Sequence, residues 1–196
     1  MKKSAAEGNQ FQMSETVSPD GRSVLRPDEV MFSSSVRAQQ ECHGSREAYA
    51  RRAARGGFEQ ALSPEAVAFI VQRDSAYLAT ASVDGQPYVQ HRGGPCGFLK
   101  VLDERTVAFP EYSGNRQYIS SGNLAENERS FLFLMDYENA RRLKLWGRAR
   151  VVDEPAIVGR LSEPSHSGRV VRALVFSVLA WDWNCSKHIP KLVPAR

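Results

Sequence analysis

The stretch that decides the fold is Val107-Ala108-Phe109-Pro110-Glu111-Tyr112-Ser113-Gly114-Asn115-Arg116-Gln117-Tyr118-Ile119. It begins as an alternating, strand-like run, breaks at residues 113–115 and resumes at Arg116 with a helical pattern. A helix start has free backbone N–H groups, and here a hydroxyl, an amide and a guanidinium lie beside them. These groups favour a phosphate, so the stretch predicts an anion site. A capped helix with a surface arginine is the alternative that this stretch alone leaves open, because capping residues are common at helix starts.

The rest of the composition is that of an ordinary globular protein. The 196 residues are 42% hydrophobic and 24% charged, enough for one domain with a core and an appendage. The net charge of +4, without a dense Lys/Arg tract, suits a small anion at least as well as nucleic acid. No apolar run reaches bilayer length, and no apolar segment follows the N-terminal lysines as in a secretory signal. The three widely spaced cysteines do not indicate a disulfide framework, so we expect a cytoplasmic location.

Residues 1–57 are expected to form an N-terminal arm and helix that pack on the main domain or on a partner subunit. Residues 1–30 are polar and interrupted by proline and glycine, which indicates an extended arm. Residues 45–55 are rich in strong helix formers and end at two glycines. The main domain, residues 58–196, opens with a helix for which Ser63 is a suitable N-cap.

Beyond residue 74 the pattern changes to β. Seven runs read as strands, at residues 76–82, 87–92, 98–102, 106–110, 131–137, 143–152 and 170–181. Asp84-Gly85 between the first two is a favoured hairpin pair, and short helices are expected at 117–124 and 155–161. Mostly antiparallel strands with short turns must protect their edges, and a small barrel does so economically. The sequence therefore predicts a mainly β fold with flanking helices, an antiparallel β-barrel.

The familiar catalytic motifs are not present. We find no Rossmann glycine fingerprint, P-loop or Gly-x-Ser-x-Gly elbow. The spacing of Cys185 and His188 is compatible with a metal site that could also include His91 and Cys96. No second close-spaced pair exists, so the sequence does not favour zinc.

Six segments together carry a resemblance that none carries alone. They are residues 79–87 (ATASVDGQP), 92–95 (RGGP), 113–117 (SGNRQ), 122–127 (GNLAEN), 145–149 (LWGRA) and 182–189 (DWNCSKHI). In this order and spacing they resemble the pyridoxamine 5'-phosphate oxidase-like FMN-binding split-barrel family, in a bacterial subgroup with an N-terminal helical extension. The similarity extends over roughly residues 32–193, nearly the whole chain.

The resemblance implies a homodimer with two FMN molecules at the subunit interface, and an FMN phosphate at the strand-to-helix turn. By match, Arg116 and Gln117 stand where the family usually places an Arg-Lys pair on the phosphate. Gln117 can still donate a hydrogen bond but removes one charge, so Arg116 and Arg92 must contribute more. Ser113 and Asn115 would add neutral hydrogen bonds. The cofactor-binding residues expected in full are Arg92, Gly93, Ser113, Gly114, Asn115, Arg116, Gln117, Asn123, Lys144, Trp146, Trp183 and Asn184.

Further roles follow from the same resemblance. Lys144 and Trp146 are two apart on one strand and so share a face. A lysine at the flavin N1/O2 edge would supply positive charge there, and Trp146 could cover an apolar part of the ring. A core tryptophan beside an exposed lysine remains the alternative. The C-terminal segment with Trp183 and Asn184 resembles one that reaches over the flavin, with His188 as the candidate for proton transfer or for closing the site by packing.

We therefore expect an FMN-dependent oxidoreductase that acts on an unidentified small molecule. Vitamin B6 phosphates are less expected as substrates, because the sequence lacks the C-terminal Arg-x-x-x-x-Arg-Leu-type ending that true oxidases use on the substrate phosphate. One alternative is a non-catalytic flavin-binding or stress-related protein. Another is the same fold with a different ligand, either haem, with His91 or His188 as axial ligand, or the deazaflavin F420.

Overall fold

The computed structural model of the protein describes residues 25–163, 168–184 and 187–192. Its strands are β1 (Ser75–Ala81), β2 (Pro87–Gly93), β3 (Lys100–Asp103), β4 (Thr106–Tyr112), β5 (Arg129–Asp136), β6 (Arg141–Val152) and β7 (Val170–Trp183). Its helices are α1 (Pro27–Met31), α2 (Ser34–Cys42), α3 (Arg46–Ala54), α4 (Pro64–Val71), α5 (Ile119–Glu126) and α6 (Pro155–Leu161). Among these described residues, no helix has both the length and the apolar character required to cross a lipid bilayer.

The seven strands form one antiparallel sheet in the order β2-β1-β5-β6-β7-β4-β3. This is a split β-barrel with flanking helices, and the predicted fold class is confirmed. The first hairpin also forms as expected. Gly85 has φ 87°, a conformation that glycine adopts without strain, and its N–H donates to the carbonyl of Ser82 at 3.0 Å.

Alternation along the strands separates an inner from an outer face. Leu78, Leu132 and Leu145 are register neighbours on β1, β5 and β6, and all three are fully buried in the core. The intervening outward positions are half-buried aromatic side chains on the same three strands. We name this surface the outer aromatic face and define it by Tyr77, Phe131, Phe133 and Trp146.

Gly147 permits a close approach between β6 and β7. The register of β6 and β7 shifts between Trp146 and Gly147. A Cβ atom at position 147 would clash with the backbone carbonyl oxygen of Ser177. Only glycine therefore fits this bulge, which lies beside Trp146 on the outer aromatic face.

The N-terminal helix α3 contacts the barrel through Arg52. Arg52 of α3 pairs with the buried Asp182 of β7 at 2.5 Å, and its guanidinium lies 4.4 Å from the centroid of the Phe58 ring.

The prediction of an extended arm over residues 1–30 is wrong for the last residues of that range, because α1 begins at Pro27. The Glu29 side chain accepts from the Arg26 backbone N–H at 3.0 Å and so stabilises this helix start. Residues 1–24 lie outside the described part of the chain, and the domain boundary at residue 57 stays a prediction.

Candidate functional site

A cleft of about 520 Å³ lies where the strand-to-helix stretch meets the sheet. Its walls are β2, the end of β4, the 113–118 loop, the start of α5 and the start of β7. Tyr88, Gln90 and Arg92 face it from β2, as side chains two apart on one strand do. The stretch predicted to be an anion site therefore forms the wall of a real cavity.

The 113–118 loop does not enter the helix where the sequence predicted. α5 begins at Ile119, two residues after the start expected at residue 117. Arg116 and Tyr118 have φ of 62° and 55°, in the left-handed region that non-glycine residues rarely occupy. The Asn115 side chain accepts from the backbone N–H of Gln117 at 3.3 Å and fixes a turn before the helix. Such strain in a loop at a cavity wall is typical of ligand-binding sites.

Arg116 extends from this loop into solvent. Its side chain is exposed and forms no ion pair with any residue in the described ranges. The α5 helix begins beside it without a side-chain cap, so the first-turn N–H groups face the same region. Ser120, in that first turn, donates to Gln90 on β2 at 2.9 Å and joins the helix start to the sheet.

A buried carboxylate organises the inner end of the cleft. Glu111 Oε2 accepts from Arg172 Nε at 2.8 Å and lies 2.6 Å from Arg172 Nη2. Glu111 Oε1 accepts from the Ser121 hydroxyl at 3.2 Å and lies 3.8 Å from Arg92 Nη1. The carboxylate is thus placed between two arginines from opposite walls.

Arg92 has an unmet hydrogen-bonding group. Its side chain is 11% exposed, and its Nε is buried without a hydrogen-bond partner among the residues that the structure describes. Burial lowers the pKa of Arg92 from its ordinary value, against the opposing effects of Glu111 and Tyr88. A buried guanidinium N–H without an acceptor is costly. The Arg92 side chain also lines the cleft, so its positive charge favours an anion there.

The charge of the lining favours an anion. It contains three arginines and one glutamate, an excess of two positive charges, and its remaining residues are neutral. One of these is Tyr112, whose pKa is raised by burial and by the nearby Glu163 carboxylate. The excess matches the charge of a phosphate monoester near neutral pH, about −1.5 to −2.

The residues expected at a cofactor fall into groups. Six of them line the cleft: Arg92, Ser113, Gly114, Asn115, Arg116 and Gln117. Gly93 follows Arg92 on β2 and pairs with Ser75. Asn123 donates to the Thr80 hydroxyl at 3.0 Å and joins α5 to β1.

Lys144 and Trp146 lie elsewhere, on the outward side of β6. The Lys144 ammonium is 3.4 Å from Asp182 and 5.2 Å from the centroid of the Trp146 ring. The Trp146 ring meets that of Phe131 edge-on at 5.0 Å. They share one face as the spacing predicts, but neither lines the cleft.

The C-terminal residues of the prediction also lie apart from the cleft. Trp183 packs edge-on against Phe69 at 5.0 Å. The backbone N–H of Asn184 donates to the carbonyl of Arg142 at 3.1 Å. His188 is exposed with φ 63°, and Cys185 of the metal hypothesis lies outside the described residues. The cofactor and catalytic roles of all these residues stay predictions.

Sequence reasoning missed the inner end of the cleft. Glu111 and Arg172 are register partners on β4 and β7, and each lies two positions from a core residue of its own strand, Phe109 and Leu174 respectively. A charged side chain at an inward-facing position needs a partner of opposite charge. A charged residue at an inward-facing position in each strand was therefore the signal for an ion pair. It identifies Glu111 and Arg172 as partners only when β4 and β7 are known to be neighbours.

Fold and site together define a class, a split barrel with a positively charged cleft between β2, β4 and α5. The sequence model for pyridoxamine 5'-phosphate oxidase matches residues 62–179, more than half of the chain. The chain belongs to the pyridoxamine 5'-phosphate oxidase family. No curated protein matches it.

Solved structures share the architecture at low identity. A HupZ variant from Group A Streptococcus is 16% identical, with 63% of this chain and 99% of that chain covered and a TM-score of 0.51. An FMN-binding protein from Syntrophomonas wolfei is 14% identical over 73% of this chain and 96% of that chain, with a TM-score of 0.47. HutZ, a haem storage protein from Vibrio cholerae, is 17% identical over 60% and 90%, with a TM-score of 0.41. At 16% identity, the similarity to the HupZ variant shows the fold alone.

Proposed function

We propose that the chain is an FMN-dependent oxidoreductase whose cleft binds the FMN phosphate. The observation that carries the proposal is the charge of the cleft, whose lining has three arginines and one glutamate and so two excess positive charges. Membership of the pyridoxamine 5'-phosphate oxidase family supports the choice of FMN over other phosphate esters. The free thiols of Cys42 and Cys96 agree with a reducing, cytoplasmic location.

The residues of the cleft fit the phosphate group by type. Arg92 supplies a largely buried positive charge at the cleft wall, and Arg116 supplies an exposed one on the loop. Ser113, Asn115 and Gln117 add neutral polar groups on the loop. When bound, FMN supplies the hydride or electron transfer, so the protein has to bind it, orient it and limit access of water.

Lys144 and Trp146 have a separate role in this proposal. They lie on the outer aromatic face, where we place the contact with a second copy of the chain. A dimer through this face would bring a lysine charge and an aromatic ring to the subunit interface, the position that the family resemblance implies for the flavin ring. Asp182 holds Lys144 at 3.4 Å and limits its range of positions.

The absorption spectrum of the purified protein tests the cofactor. We expect the paired bands of an oxidised flavin, and we expect FMN to be released on denaturation. A Soret band would instead identify haem, and a single deazaflavin band would identify F420. Either result would contradict the proposal.

Turnover of NADH or NADPH by the FMN-loaded protein, with a panel of small acceptors, tests the activity. Reduction of an acceptor is expected. A flavin spectrum without turnover by any donor would favour a non-catalytic flavin-binding or stress-related protein. Unchanged turnover in a His188→Ala variant would exclude His188 from proton transfer.

A further inference from the structure

We propose that Arg172 is a further phosphate-binding residue of the cleft and that Glu111 positions it. The inference rests on the proposed function, since it assigns a new residue to the same phosphate. Both side chains line the cleft, and neither belongs to the residues that the family resemblance placed at the cofactor. What the structure adds is the orientation of the Arg172 guanidinium.

One edge of this guanidinium is fully engaged. Nε and Nη2 both contact Glu111 Oε2, at 2.8 and 2.6 Å, and Nη2 also donates to the Ser121 hydroxyl at 3.2 Å. Nη1 makes no hydrogen bond to any residue that the structure describes. Its two N–H groups remain available in a side chain that is 32% exposed at the cleft wall.

The guanidinium is also held by its neighbours. Its central carbon lies 5.3 Å from the centroid of the Tyr118 ring, on the left-handed loop that precedes α5. The other oxygen of Glu111 accepts from Ser121 at 3.2 Å and lies 3.8 Å from Arg92. An arginine fixed in this way loses little conformational entropy when it binds a phosphate, so its remaining donors are effective.

A simpler account of the pair is that Arg172 only neutralises the buried Glu111. Single substitutions do not separate the two accounts, because Arg172→Gln would leave the buried Glu111 carboxylate with only the more distant Arg92, and its negative charge itself repels a phosphate. The double variant Glu111→Gln/Arg172→Gln does separate them. It removes one charge of each sign, so the cleft keeps its excess of two positive charges while the Arg172 donors are lost.

The experiment is a fluorescence titration of apoprotein with FMN and with riboflavin, which lacks the phosphate. We expect the double variant to bind FMN about tenfold more weakly and to bind riboflavin within about twofold of the wild type, because one charged hydrogen bond to the phosphate is lost. The matched control is Glu128→Gln/Arg148→Gln, a half-exposed pair 3.7 Å apart that does not line the cleft. It should leave both affinities unchanged.

Two results would overturn the inference, and they differ from each other. If the wild type prefers FMN to riboflavin and the double variant binds FMN equally well, the pair is structural and the proposed function stands. If the wild type does not prefer FMN to riboflavin, the phosphate site and the proposed function both fail.

If the double variant does not fold, the titration is repeated with Arg172→Lys in its place. That variant keeps the charge but not the planar fork, and FMN affinity equal to the wild type would then refute the role of Arg172.

Discussion

At the residue scale, buried carboxylates of this chain are paired with arginine side chains. Glu111, Asp136 and Asp182 are all buried, and each is paired with at least one arginine. Burying an unpaired carboxylate is costly, so each of these pairs must form for the native state to be stable. Of these three, Glu111 lines the cleft described above, so there the pair can also serve a ligand.

Asp136 gives a prediction of stability at this scale. Its carboxylate lies 3.3 Å from Arg73 and accepts hydrogen bonds from Asn139. Burial by itself raises the pKa of Asp136, but the Asn139 hydrogen bonds and the charges of Arg73 and Arg141 outweigh it and lower the pKa from its ordinary value. The ionised form therefore stabilises the native state above the unfolded pKa of about 3.9, and this stabilisation is lost as the pH falls through the native pKa.

We expect Asp136→Asn to lower the free energy of unfolding by about 3 kcal/mol at neutral pH, because it leaves Arg73 without its counter-charge. The difference from the wild type should shrink below about pH 4. Urea unfolding at neutral and acidic pH measures both. The control Asp153→Asn changes an exposed carboxylate and should stay within about 0.5 kcal/mol. A difference as large at acidic pH as at neutral pH would contradict the assignment.

At the scale of elements, the strands were predictable because their pattern is local. The alternation in residues 76–82 predicts a strand, and the pair Asp84-Gly85 predicts a hairpin turn, each from a few neighbouring residues alone. β1 and β2 form as expected. The helix at 155–161 was also correct, since Pro155 suits a first turn. The order of strands in the sheet depends on contacts between residues far apart in the chain, so the pairing of β4 with β7 could not be derived from the sequence.

The errors occurred where tertiary contacts decide the backbone. The start of α5 was placed two residues early, at 117 instead of 119, because helical spacing does not reveal left-handed residues such as Arg116 and Tyr118. The α1 helix was missed because five residues carry little periodic signal. Within the site, the loop residues were found from the sequence and the resemblance, whereas Arg172 was not. Its significance depends on Glu111, which is 61 positions away in the chain.

At the scale of the whole molecule, the outer aromatic face is the surface for which we propose a second copy. Phe133 is half-buried there, and its ring is 6.3 Å from that of Phe131. A cluster of outward aromatic side chains over three adjacent strands is typical of an interaction surface. The family resemblance implies a homodimer, so the partner that we propose for this face is a second copy of this chain.

We expect the wild type to elute in light-scattering chromatography with twice the mass of one chain. Phe133→Glu places a charge in the centre of the outer aromatic face and should shift the protein to monomer, because an unpaired charge is not tolerated in an interface core. Val83→Glu is the control, at an exposed apolar residue on the first hairpin that should not affect association. A monomeric wild type would contradict this assignment.

The central claim is that the cleft beside Arg116 binds the FMN phosphate. Its most direct test is the dissociation constant of FMN for the wild type and for Arg116→Ala, with Arg55→Ala as a control at an exposed arginine outside the cleft. The loss of one charged hydrogen bond should weaken FMN binding by about 1.5–3 kcal/mol, roughly tenfold to hundredfold, and Arg55→Ala should not change it. An Arg116→Ala variant that binds FMN as tightly as the wild type would contradict the account.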